Sequence, residues 1–226
     1  MARVGFTYLG ISLVVTMTFA KQSFAEVVGA EHRFYPIAHV GGGYGWGAVT
    51  YDGPVYSAPS PQHYESTFRG ALGFVSLGAG YQATRYWAVG IRAQGGLAAN
   101  PTWQSPIPGA GLTNYGTFGA QAFARWLIEG AEGPALELGA GYAQLWFGRE
   151  RDEILFPGAV QDEAAYGALH GFAVEGAFGW VIAAGAWGLE PRLGLAYLTL
   201  GGTHGGAHLV APTVGLSLSF WPLKEK

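Results

Sequence analysis

The sequence predicts an all-β fold, an eight-stranded antiparallel up-and-down transmembrane β-barrel, and three observations predict it. The first is the last long stretch, Leu209 to Trp221. There Val210, Pro212, Val214, Leu216, Leu218 and Phe220 alternate with Leu209, Ala211, Thr213, Gly215, Ser217, Ser219 and Trp221. Successive side chains of a strand point to opposite faces, so one face is apolar throughout and the other small or hydroxylated. The second is composition. The 226 residues include 38 glycines and 15% aromatics but only 12% charged residues, about half the ~25% usual in a soluble domain. Mean hydropathy is nevertheless only +0.19, and beyond the N-terminus no apolar run approaches the roughly 20 residues of a membrane helix. The third is that about eight alternating segments, an even number, are joined by long and short connections in turn.

Length fits one barrel domain over 26–226, preceded by a signal peptide over 1–25. Arg3 supplies the positive start, Val4 to Ala20 the apolar stretch, and Ser23-Phe24-Ala25 the cleavage site, with Thr18-Phe19-Ala20 as the alternative. A net charge of -3 offers no basic stripe for nucleic acid. Cysteine is absent, which removes disulfides, thiolate nucleophiles and cysteine metal sites.

The first strand runs from about Pro36 to Thr50, with Ala38, Val40, Tyr44, Trp46 and Ala48 outward and His39, Gly41, Gly43, Gly45 and Gly47 inward. Asp52 to Glu65 follows as a long loop, because Pro54, Pro59 and Pro61 have no N–H for a ladder. Ser66 to Gln82 has ambiguous facing. Val75, Leu77, Ala79 and Tyr81 put odd positions outward, whereas Phe68, Leu72 and Phe74 suggest the reverse, with a bulge between them. After the turn at Ala83 to Arg85, Tyr86 to Leu97 turns Trp87, Val89, Ile91 and Ala93 outward and Arg92 and Gln94 inward; Ala98 to Asn114 is a second long loop.

Tyr115 to Ile128 and Ala135 to Phe147 form a hairpin about Glu129 to Pro134, with Gln121, Arg125 and Glu137 inward. The third long loop, Gly148 to Ala165, is the most charged segment. Tyr166 to Ala183 puts Glu175 inward, and Trp187 to Leu200 puts Glu190 and Arg192 inward. Gly201 to His208 links to the closing strand.

That closing strand, with Leu216, Leu218 and the terminal aromatic Phe220, resembles the assembly signal of bacterial outer-membrane β-barrels, although the chain runs six residues further, from Trp221 to Lys226. In architecture and sequence pattern, nearly all of the mature chain resembles the small OmpA-type barrels. The resemblance implies an outer-membrane location with periplasmic chain ends, a monomer, contacts with outer-membrane lipid and lipopolysaccharide, and insertion by the outer-membrane assembly machinery. No cofactor is implied.

The inward charges balance: Arg92, Arg125 and Arg192 against Glu137, Glu175 and Glu190. Arg125 and Glu137 flank their turn symmetrically and should sit opposite each other across the hairpin. Such a network is either a gate, as the family's interior networks suggest, or a static plug that fixes strand register. His39, Ser217 and Ser219 meet near the closing seam, with Glu190 on the neighbouring strand. These are the parts of a hydrolase triad. However, no His-x-Ser pair occurs in the chain, unlike the membrane-facing pair that outer-membrane lipases and lipid A deacylases carry. A hydrogen-bonded lumen histidine is the plainer reading. His204 and His208 lack a third ligand, so no metal site is expected. The sequence therefore leads to a non-enzymatic barrel, structural or surface-interacting, with its lumen mostly blocked by Arg/Glu pairs. The alternatives are a narrow channel or carrier for small or hydrophobic solutes and, less favoured, a lipid-modifying hydrolase.

Overall fold

The computed structural model describes residues 33–55, 58–106, 114–129, 132–148, 169–202 and 205–221. The expected signal peptide, most of the charged third loop, His204 and the tail after Trp221 lie outside the described residues. The chain forms β1 (Arg33–Val55), β2 (Ala58–Gln82), β3 (Trp87–Ala99), β4 (Thr102–Gln104), β5 (Asn114–Leu127), β6 (Gly133–Gly148), β7 (Leu169–Ala184), β8 (Trp187–Gly202) and β9 (Gly205–Phe220). All pairings are antiparallel, and β1 bonds both β2 and β9, which closes the sheet into a barrel. The short β4 pairs only with β2, where it takes up the position of β3 after a break at Asn100 and Pro101. Asn100 has φ 50°, a left-handed conformation that Asn tolerates better than most residues. The barrel therefore has eight staves.

The register fixes its shape. Partners can be followed once round from Arg69 through Trp46, Val210, Tyr197, Val174, Ala140, Ala122 and Ile91, returning to β2 at Ala79, ten residues along. A stagger of this size tilts eight strands by roughly 40° and leaves an interior that side chains can fill.

Facing follows the alternation. Leu77 and Ile91 are each 69% exposed, and Leu138, Leu193 and Val214 are exposed as well, whereas their strand neighbours point into a packed lumen. A continuous apolar exterior of this kind is not found on water-soluble monomers. It is the lipid-facing surface of a transmembrane barrel. Aromatic rings border it. At the turn side Phe34 lies against Tyr81, Trp87 against Trp126 and Trp187 against Phe220. At the loop side Tyr44 lies against Trp46, with Trp146 also exposed. Phe34 and Trp46 are twelve residues apart on β1. That is about 40 Å of strand, which the tilt of roughly 40° reduces to about 30 Å of height, enough for the ~25 Å apolar band and its girdles.

The structure resolves β2 and corrects three connections. The β1–β2 register is unbroken from Arg33↔Gln82 to Gly53↔Gln62, so there is no bulge beside Phe74. Phe68, Leu72 and Phe74 are simply inside, because the loop-side half of the lumen is apolar. The expected loop from Asp52 to Glu65 is instead a two-stranded ribbon reaching Val55↔Ala58. Past Tyr51 and Thr67 neither strand has an outer partner, and proline costs nothing on an unpaired edge. Part of the expected second loop is β4, and the Gly201 to His208 link is ladder from Gly201↔Gly206 to Gly202↔Gly205. His208 therefore belongs to β9 and points outward.

Two prolines sit inside central strands and interrupt a ladder where their N–H is missing. The β7–β8 ladder stops at Gly179↔Arg192 and resumes at Ile182↔Leu189, skipping Pro191. The closing β1–β9 ladder stops at Gly43↔Thr213 and resumes at Trp46↔Val210, skipping Pro212.

Candidate functional site

The lumen is built in three layers. On the loop side, Val49, Tyr51, Phe68, Leu72, Tyr115, Leu145, Leu198 and Leu209 pack into one apolar cluster. On the turn side, Tyr35 stacks on Trp221 with ring centroids 3.8 Å apart, over Ala88, and Leu127, Ala135 and Val181 form a second small cluster. Between them lies a polar layer to which all eight staves contribute: His39, Ser76, Arg92, Gln121 with Arg125, Glu137, Glu175, Glu190 with Arg192, and Ser217, all buried.

The charges are interlinked. Glu137 is the hub: its Oε1 accepts from Nη1 of Arg92 at 2.6 Å and from Nη2 of Arg192 at 2.7 Å, and its Oε2 from Nη1 of Arg192 at 3.2 Å. Arg92 also donates to Oε1 of Gln121 from Nε at 3.2 Å and from Nη2 at 2.9 Å, and its guanidinium lies 5.8 Å from the Phe123 ring. Glu175 is 3.0 Å from Nη2 of Arg92, but Oε2 has no hydrogen-bond partner there, so the contact is Coulombic. Arg125 donates to Glu190. Three guanidinium groups thus meet three carboxylates in a water-poor interior, where each unpaired charge would cost several kcal/mol.

The register puts Arg125 directly opposite Glu137, yet Arg125 crosses the lumen to β8 and Glu137 takes Arg92 and Arg192 instead. In so narrow a barrel, an arginine reaches the opposite wall as readily as its neighbour on the same hairpin, and the pairing follows charge balance across the lumen. His39 and Ser217 are likewise opposite in register, but neither the imidazole nitrogens nor the Ser217 hydroxyl has a hydrogen-bond partner. The His39 ring stands edge-on to Phe74 at 5.0 Å. Ser219 donates to the Gly188 carbonyl at 3.4 Å and accepts from Nε1 of Trp221 at 3.1 Å. Glu190 is held by Arg125, so no serine–histidine–carboxylate relay is assembled.

Leu216 and Leu218 face outward, and Phe220 packs on Trp187 at 4.8 Å. Trp221 turns inward, on the face that alternation gives it with Ser217 and Ser219, and its ring forms part of the turn-side cap. His208 hydrogen-bonds Tyr197 at 3.1 Å through Nδ1, and His170 hydrogen-bonds Tyr142 at 2.5 Å. Among the described residues no group of three or more His, Cys, Asp or Glu could hold a metal.

The inward glycines carry rings. A Cβ on Gly41 would come within 2.6 Å of Phe74, on Gly47 within 2.2 Å of Phe68, on Gly80 within 2.3 Å of Tyr35, and on Gly90 within 2.4 Å of Phe123. The glycine face of β1 is thus covered by Phe74 and Phe68 from the neighbouring β2, opposite Gly41 and Gly47, and at Gly45 by Tyr115 from β5.

No protein-family model matches the sequence, and no curated protein matches it. Among solved structures, the chain is similar to the neisserial surface protein NspA, with 11% identity, a TM-score of 0.43, and coverage of 84% of this chain and 98% of that one. It is similar to Ail, the attachment invasion locus protein of Yersinia pestis, at 15%, 0.42, 83% and 98%. It is also similar to the outer membrane protein OprG of Pseudomonas aeruginosa, at 12%, 0.42, 82% and 96%. The barrel architecture rests on the strand ladders described above and not on these likenesses.

Proposed function

We propose that the chain is a non-enzymatic outer-membrane barrel with a structural or surface-interacting role, its lumen closed by the Arg/Glu layer between two apolar layers. In this reading the short turns and the chain ends are periplasmic, the β1–β2 ribbon stands on the outer surface, and the outer-membrane assembly machinery inserts the barrel as a monomer. The carrying observation is the filling of the lumen. The cavity between the apolar and charged layers, lined by Leu72, Gln94, Thr117, Ala143 and Thr213, is only about 30 Å³, room for a water molecule or two.

The channel reading drew on the glycine face of β1, and rings now occupy that face. The hydrolase reading needs a base within reach of a serine hydroxyl, and the Ser217 hydroxyl has no partner. Planar-bilayer recording on the refolded protein tests the closed lumen. The expected result is no steady conductance, and a steady current carried by the wild-type barrel sinks the reading.

A further inference from the structure

We propose that the outer wall around Arg69 binds a phosphorylated lipid headgroup of the outer leaflet, a site that rests on the membrane placement given above. The outward face of β2 is apolar or glycine from Ala71 to Tyr81, and directly above this face stands Arg69. Its cross-strand partners are Trp46 on β1, part of the loop-side girdle, and Thr102 on β4. One step further up, Thr67 stands between Ala48 and Gln104, and on the far side of β1 Ala48 faces His208. These residues line one open groove of about 380 Å³ floored by Gly47 and Phe68.

The chemistry of the groove is one-sided. Arg69 forms no ion pair with any described residue. The carboxylates on the same outward face, Glu65 and Asp52, lie above it toward the ribbon, and Asp52 already holds His63 at 2.6 Å. A guanidinium at the upper edge of an apolar band, level with the girdle, sits where lipid headgroups lie. Its planar fork matches phosphate oxygens two at a time. Thr67, Thr102 and Gln104 add neutral donors, and His208, anchored by its Nδ1 to Tyr197, has Nε2 left for a ligand. Immediately below, Val210, Tyr44 and Ala71 continue as apolar wall. A cationic head site above an apolar track fits a molecule with a phosphate and acyl chains, which is why a lipid is assigned and not free phosphate.

The barrel refolded in detergent micelles is tested by native mass spectrometry against diphosphorylated lipid A, the same lipid dephosphorylated, and inorganic phosphate. The wild type should retain one phosphorylated lipid. Loss of the bidentate contact in Arg69→Gln should lower retention about tenfold, and Arg69→Lys, which keeps the charge, should lower it less. Equal retention by wild type and Arg69→Gln, equal retention of the dephosphorylated lipid, or displacement by equimolar inorganic phosphate each overturns the site. Every variant is also run on a heat-modifiability gel and fractionated from cells. A barrel that shifts on boiling and resides in the outer membrane but lacks phosphate selectivity overturns this site alone. A protein with no shift and no membrane residence overturns the membrane reading itself.

Discussion

Glycine 47 and glycine 73 look alike in the sequence and are opposite in consequence. A Cβ on Gly47 would meet the Phe68 ring at 2.2 Å and the His208 carbonyl at 2.7 Å, whereas one on Gly73 meets nothing within 4 Å. Gly47→Ala should therefore destabilise the barrel by about 1–3 kcal/mol, and Gly73→Ala should be neutral or slightly stabilising; urea midpoints of the gel-resolved folded band measure both. Glu137 and Glu175 form a second contrasting pair. Glu137 neutralises two guanidinium groups through hydrogen bonds, and Glu175 meets one without a hydrogen bond. Removing Glu137 as Ala strands buried cations and should cost about 3–5 kcal/mol, clearly more than Glu175→Ala in the same urea series. The sequence placed these six charged residues in the lumen, because strand alternation fixes which wall a residue faces. It did not reveal their partners, because a side chain of arginine length ignores hairpin neighbourhood.

At the scale of elements, the strands were legible wherever one face met lipid. They were harder to read where both faces were apolar. β2 illustrates this: Phe68, Leu72 and Phe74 inside and Val75 and Leu77 outside give a run with no alternation at the join, although its ladder is continuous. The ribbon above the barrel was hidden by Pro54, Pro59 and Pro61, since a rule that holds for paired strands does not hold for free edges. β4 was hidden by its length of three residues. Pro212 makes a testable mark on β9. With the β1–β9 ladder missing between Gly43↔Thr213 and Trp46↔Val210 while β1 stays paired with β2 at Tyr44↔Ala71 and Gly45↔Gly70, the one amide of Tyr44 and Gly45 that points to β9 should exchange faster in micelles than the amides of Ala38 to Gly41. Uniform protection along β1 would contradict this.

At the scale of the whole molecule, the exterior, the strand count and the closure followed from composition and periodicity, and the layered lumen did not. Its apolar loop-side layer comes from residues on all eight staves, Tyr51, Phe68, Ala98, Tyr115, Leu145, Leu169, Leu198 and Leu209 among them, which no local window brings together. The candidate site shared this limit: the hydroxyl of Ser217 and the ring of His39 fall side by side in register, yet neither finds a partner.

The charged layer also divides by chain order. β1 to β5 bring two arginines, Arg92 and Arg125, and β6 to β9 bring three glutamates and Arg192. The first half's share of this layer is therefore two charges positive and the second half's two charges negative, and only their union is neutral. Neither half can come to rest in hydrocarbon on its own. Closure is then a meeting of opposite poles, and half a barrel has every electrostatic reason to wait for the other half rather than pair with a copy of itself.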